Sequence, residues 1–224
     1  MNGTLELCLC FLSLAYLNAL LPNALFSAFV AFSLSLAYFL VPHDGDMLAL
    51  ADSSEALSWA QSWVRYYIAY LFVDLCHELS QKNLIIVIHH VIALVGFCAN
   101  AESLWGTVTL FSVFLLEPSG MLANIRQILR SDGGANIYKG WFATAFDALF
   151  AIVYIASRCF VFPYRMYRCF TELRQTLPES DLGSQSEVIV GYLTLGASIA
   201  LNLYWSHIIV RKVADKLLFA KKIK

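Results

Sequence analysis

Apolar residues fill this chain in long, nearly unbroken tracts, and the polar residues fall into a few short gaps between them. The first tract runs from about Leu5 to Val41. As one helix it would extend roughly 55 Å against a hydrocarbon core of about 30 Å, so it must fold back. Leu21-Pro22-Asn23 supplies the turn, because Pro22 lacks a backbone donor and Asn23 suits a helix N-cap. That gives spans at about 5–21 and 24–41. His43 to Gln61 carries Asp44, Asp46, Asp52 and Glu55 with no Lys or Arg and reads as an acidic loop. Further apolar spans follow at about 62–79, 84–100, 103–129, 141–162 and 186–210, with Pro163 to Gln185 as a longer polar gap. The pattern predicts an all-α membrane protein, a bundle or barrel of about seven transmembrane helices in one domain without internal repeats.

Composition strengthens this picture. Hydrophobic residues make up 59% of the 224 and charged residues 14%, and the mean hydropathy is +0.66. A soluble domain of this length has no need of so much apolar surface. The net charge of -1 offers no basic face for nucleic acid. Its 15 basic residues are unevenly placed. Lys82, Arg126, Arg130, Lys139, Arg211, Lys212, Lys216, Lys221, Lys222 and Lys224 fall on one side of a seven-span topology, and only Arg165, Arg168 and Arg174 on the other. By the positive-inside rule the first side, with the C-terminus, is cytosolic. Asn2-Gly3-Thr4 then has the form of a glycosylation acceptor on the opposite face. Met1 to Glu6 lacks the positive charge of a signal peptide, so the N-terminal helix is expected to be retained. Cys8, Cys10, Cys76, Cys98 and Cys159 lie within apolar runs and Cys169 in a polar gap, and they form neither a disulfide framework nor a CxxC pair.

Ionisable residues inside the spans carry the candidate chemistry, since each is costly at membrane depth. They are Asp74, His77, Glu78, His89, His90, Glu117 and Asp147. At 1.5 Å per residue, Asp74, the His89-His90 pair and Asp147 all lie roughly 8–9 Å from the cytosolic ends of their helices, with Glu117 somewhat deeper. Asn202 falls near the same level. Asp74, His77 and Glu78 at i, i+3 and i+4 share one helical face, which Tyr66, Tyr67 and Tyr70 extend. His89 and His90 are adjacent, about 100° apart on a helix, and cannot point at one spot. Pro118 breaks its helix where these groups gather. Plain hydrogen bonding between packed helices is the alternative for each residue. A metal site is disfavoured by the absence of HxxxH or HxxHH spacing, and a transporter by the lack of paired interrupted helices.

Tyr66-Tyr67 with Asp74, Ile88-His89-His90-Val91-Ile92-Ala93-Leu94, Glu117-Pro118-Ser119 with Asn124-Ile125-Arg126, and Asn202-Leu203-Tyr204-Trp205 together resemble the TLC-domain family, to which the ceramide synthases belong. The resemblance covers about Asn23 to Val213. It divides the chain into a first helix and turn (1–23), a TLC-like membrane domain (24–213) and a basic cytosolic tail (214–224). It implies helices enclosing a lipid-sized cavity open toward the cytosol, in the endoplasmic reticulum. Lys221-Lys222-Ile223-Lys224 also has the form of a dilysine retrieval signal for that compartment, or of a simple basic tail. Ceramide synthases carry a His-Asp-x-x-x-Asp-like stretch where this chain has Leu115-Leu116-Glu117-Pro118-Ser119-Gly120, closer to the non-synthase branches. The resemblance implies His89, His90, Asp74 and Glu117 as the catalytic set of any acyl transfer. A histidine would act as general base or acyl acceptor, oriented by a carboxylate. Tyr70, His77, Ser119, Asn124, Asp147 and Asn202 are the expected lipid- or substrate-binding residues. No cofactor or metal is expected. Membrane lipids are the expected partners, with acyl-CoA as a co-substrate of the enzymatic reading and a homo-oligomer left open. Two functions follow: a lipid-handling protein that influences membrane composition, or an acyl-CoA-dependent N-acyltransferase acting on a sphingoid base.

Overall fold

Leu21-Pro22 separates the first two helices, α1 (Gly3–Leu20) and α2 (Asn23–Leu40), where the sequence predicts the turn. The structure, a computed structural model, describes residues 3–40, 47–131 and 137–222, and no strand occurs among them. Asn2 of the sequon, Asp44 and Asp46 of the acidic segment, and Ile223-Lys224 lie outside the described residues, as do the side chains of Lys216, Lys221 and Lys222.

α3 (Met47–Asp52) and α4 (Ser54–Gln81) follow. The expected acidic loop at 43–61 is therefore helical from Met47 onward apart from Ser53, and Glu55 lies in the first turn of α4. Ser53 is the reason: its hydroxyl accepts the Ala56 N–H at 3.2 Å and caps α4 eight residues before the expected start at 62. Lys82, in the left-handed conformation at φ 58°, ends α4. α5 (Leu84–Asn100) and α6 (Leu104–Ser112) come next, then a 3-10 turn at Val113–Leu116 and α7 (Glu117–Arg130). Pro118 stands in the first turn of α7, where its missing N–H leaves no intrahelical bond unmade.

The largest departure from the sequence pattern concerns Pro163. α8 (Gly140–Ile155) passes through a π-type turn (Ala156–Val161) into α9 (Phe162–Arg168), a second π-type turn (Cys169–Leu173) and α10 (Arg174–Thr176). Gly140–Thr176 is one apolar helical run of 37 residues. Pro163 sits in the first turn after the π-type turn, whose wider winding accommodates it without ending the helix. Arg165, Arg168 and Arg174 thus lie on a helix, and Cys169 is fully buried rather than in a polar gap. A 3-10 turn (Glu179–Asp181) leads to α11 (Gln185–Lys222).

Each of the seven expected spans falls on a helix. Four segments are long and apolar enough to cross a membrane: Asn23–Leu40, Leu104–Arg130, Gly140–Thr176 and Gln185–Val213. Leu7–Leu20 and Leu84–Asn100 are shorter apolar helices. α4 has the length, at 28 residues, but carries Glu55, Arg65, Asp74 and Glu78.

The helices form a ring in which α4 packs on α5, α5 on α11, α11 on α8 and α8 on α7, with α6 joining α4 to α5. α2 lies outside, against α7 and α4, and α1 against α4. Phe26, Val30, Leu34 and Tyr38 recur every four residues as the buried stripe of α2, while Leu25, Phe29, Phe32, Leu36 and Phe39 are exposed. Such rows of exposed large apolar side chains suit contact with lipid, not water. Tyr38 stacks on Phe111 at 5.5 Å and Phe26 meets Tyr70 at 5.8 Å, fixing α2 against α6 and α4.

Candidate functional site

The ring lines a cavity of about 100 Å³ that opens at one side. One end carries Tyr67, His89, Glu117, Arg158 and Asn202, from α4, α5, α7, the first π-type turn and α11. Ile92, Ala93, Phe97, Val113, Leu116, Phe162, Met166 and Leu195 make an apolar middle, and Asn100, Trp105 and Thr109 lie at the other end. His89 and Asn100 are eleven residues apart on α5, as are Asn202 and Gly191 on α11, which sets the length at about 17 Å. The long, narrow and mostly apolar lining suits an alkyl chain.

Behind the polar end stands a buried network. His90 Nε2 donates to Asp74 Oδ2 at 3.0 Å, and the Tyr70 hydroxyl donates to the same oxygen at 3.2 Å. The adjacent His89 turns the other way, onto the cavity wall, with its ring edge-on to Trp205 at 5.1 Å. The 100° step between neighbouring helical residues accounts for this division. The Tyr67 hydroxyl donates to Glu117 Oε1 at 3.0 Å. Tyr67 and Tyr70 stack at 5.7 Å, so the two carboxylates are held by neighbouring rings. Among the described residues Asp74 Oδ1, His89 Nδ1 and His90 Nδ1 are buried without a hydrogen-bond partner, as are Asn100 Oδ1 and Thr109 Oγ1 toward the far end.

Of the residues singled out from sequence, His89, Glu117 and Asn202 reach the cavity, while Asp74, His90, Tyr70 and Ser119 lie buried outside its lining. His77 and Asn124 are half-buried, do not line it, and their side chains hydrogen-bond no other described residue. Asp147 stands apart from the expected common layer. It accepts from Arg126 Nε at 2.5 Å and from Arg130 Nη2 at 3.0 Å, and also from the Tyr138 hydroxyl. Its partners Arg126 and Arg130 lie nine and thirteen residues beyond Glu117 on α7, so about 13 Å or more of helix separates this cluster from the cavity's polar end. The depth counted from Gly140 is unchanged, but the run continues past 162 to Thr176, which places the middle of the span about 17 Å beyond Asp147.

At that middle, 18 residues from each end of the run, stands Arg158, which spacing and motif reading passed over. Its Nε donates to Ser119 Oγ at 3.0 Å and its Nη1 to Asn202 Oδ1 at 3.2 Å, and its guanidinium lies 5.3 Å from the Tyr154 ring centre. Ser119 is fixed in turn by donating to the Leu116 carbonyl at 2.7 Å. The signal was available, since any ionisable residue inside a span raises a functional question; a cation at a helix centre costs about 2.5–3.5 kcal/mol on insertion scales. A bond between membrane helices returns about 0.6 kcal/mol on average. Two neutral partners therefore do not offset the charge.

Among the described residues no group of three His, Cys, Asp or Glu side chains converges as metal ligands. The arrangement can bind an alkyl chain, orient an imidazole beside it and present hydrogen-bond donors at one end.

Residues 23–211 match the family model of the TLC domain. No curated protein and no solved structure matches the chain. The matched span contains α4 to α8, α11 as far as Arg211, the His89-His90 pair and Asn202, and leaves α1 outside. The protein belongs to the TLC-domain family of membrane proteins.

Proposed function

We propose that this protein takes a single-chain lipid or acyl group into the ring cavity and thereby influences membrane lipid composition, as a multi-pass protein of the endoplasmic reticulum with its C-terminus in the cytosol. The observation that carries the reading is the cavity itself, apolar for most of its length and polar at the His89 end. The compartment follows the resemblance to ceramide synthases, and the orientation follows the excess of Lys and Arg on one side.

A second reading, acyl-CoA-dependent N-acyl transfer to a sphingoid amine, is favoured by one detail. His89 Nδ1 has no partner among the described residues, and His89 lines the cavity beside the His90–Asp74 couple. His89 would take the amine proton as the amine attacks the thioester carbonyl, or would first accept the acyl group and pass it to the amine; in either case the C–S bond breaks and CoA leaves as its thiol, with Glu117 facing the charge that develops.

Purified protein separates the readings. Lipid should co-purify near one per chain and fall at least severalfold in Ala93→Phe, which fills the apolar middle. Lipid content unaffected by this substitution would sink the cavity reading. Incubation with acyl-CoAs and amine acceptors tests the other: product made by the native chain and lost in His89→Ala marks an acyltransferase, and bound lipid without product marks a binder.

A further inference from the structure

We propose that Arg158 is the receptor for the anionic head group of the ligand, so that the cavity takes single-chain amphiphiles bearing a carboxylate or a phosphate. This rests on the cavity reading above and names its ligand class.

A guanidinium has five N–H donors. Ser119 and Asn202 accept one each, which leaves three of the five without a partner among the described residues. Both acceptors are neutral, and no described carboxylate oxygen lies within 4.0 Å of the Arg158 nitrogens. Other arginines of the protein differ: Arg126 and Arg130 share Asp147, and Arg168 holds Glu172. Glu117 lines the same cavity and acts on Arg158 electrostatically, but its carboxylate is bonded to the Tyr67 hydroxyl and makes no ion pair within 4.0 Å. Asn202 is 3% exposed and gives its carbonyl to Arg158, so its amide N–H groups, which have no described partner, stand beside the guanidinium as further donors. Bonds to two rigid acceptors from α7 and α11 hold the fork in place before anything binds. A planar fork with unused donors matches the two oxygens of a carboxylate or phosphate. The apolar middle of the cavity begins beside it and accepts the chain.

The test measures equilibrium binding to the full chain in phosphatidylcholine nanodiscs, using labelled palmitate and labelled palmitoyl lysophosphatidate, with hexadecanol as the neutral competitor. The anions should bind at least about tenfold more tightly than the alcohol. A preference for palmitate assigns the site to carboxylates, one for lysophosphatidate to phosphates, and either supports the proposal. Arg158→Gln should erase the difference, and Arg158→Lys should keep part of it. Asn202→Asp guards against a folding defect: it gives Arg158 a resident counter-ion in the same shape, so the melting temperature should rise while the anion preference disappears. Alcohol competing as well as the acids, or an anion preference that survives both Arg158→Gln and Asn202→Asp, would overturn the head-group assignment and leave the lipid reading intact. No binding of acid or alcohol would remove both.

Discussion

Asp74 Oδ2 receives donors from His90 on α5 and Tyr70 on its own helix, and the pairing places the imidazole proton on Nε2. His90 Nδ1 is buried with no hydrogen-bond partner among the described residues. A buried pair of this kind is costly to break from one side, because the remaining partner keeps its desolvation penalty. Asp74→Ala and His90→Ala should each lower the melting temperature of the purified protein. Their effects should be non-additive, with a coupling of about 0.5–3 kcal/mol. Asp74→Ala combined with Asp147→Ala should be additive, since the two aspartates belong to separate networks. Much of this was legible in the sequence. The fixed angular step along a helix separates His89 from His90, and the i, i+4 relation joins Tyr70 to Asp74. Arg158 and the partners of Asp147 were not: a span ending near 162 leaves Arg158 close to its edge, whereas the run to Thr176 centres it. Depth also says nothing about which way around the helix a side chain faces.

At the scale of elements, the entry to α6 is the tightest backbone approach. A Cβ on Gly106 would lie 1.8 Å from the Asn100 carbonyl oxygen and 2.6 Å from Ser103 Oγ, the atom that caps α6 by accepting the Gly106 N–H. Neither can withdraw without moving the turn. Gly106→Ala should therefore destabilise by about 1–3 kcal/mol despite alanine's better helix propensity. Gly196 on α11 has nothing within 4 Å of the same position, so Gly196→Ala should be neutral or stabilise by up to about 1 kcal/mol. Thermal unfolding in one detergent compares the two directly. Helix existence was readable from apolar tract length, and the Leu21-Pro22 break from the missing proline donor; at Pro118 the helix changes its winding but runs on to Arg130. Pro163 misleads by the same rule, because a π-type turn immediately before it supplies the room that an α-helix lacks. Nothing in the local sequence signals such a turn.

For the whole molecule, the excess of Lys and Arg on one side gives the proposed orientation a direct test. Ser131 follows α7, and Ser180 lies between the end of the long run and α11, so a single crossing separates them. In a cysteine-free background, Ser131→Cys should react with an impermeant maleimide added outside sealed microsomes, and Ser180→Cys only after permeabilisation. The reverse pattern would invert the orientation. The far end of the cavity bears on a different quantity. A homologous series of ligands would gain about 0.8 kcal/mol for each added methylene while the chain fills the apolar middle. Beyond about 17 Å the terminal methyl meets the closed far end of the cavity, walled by Asn100, Trp105 and Thr109. Affinity plotted against carbon number should then climb and stop, so that the cavity measures its guests with a cutoff instead of a slope.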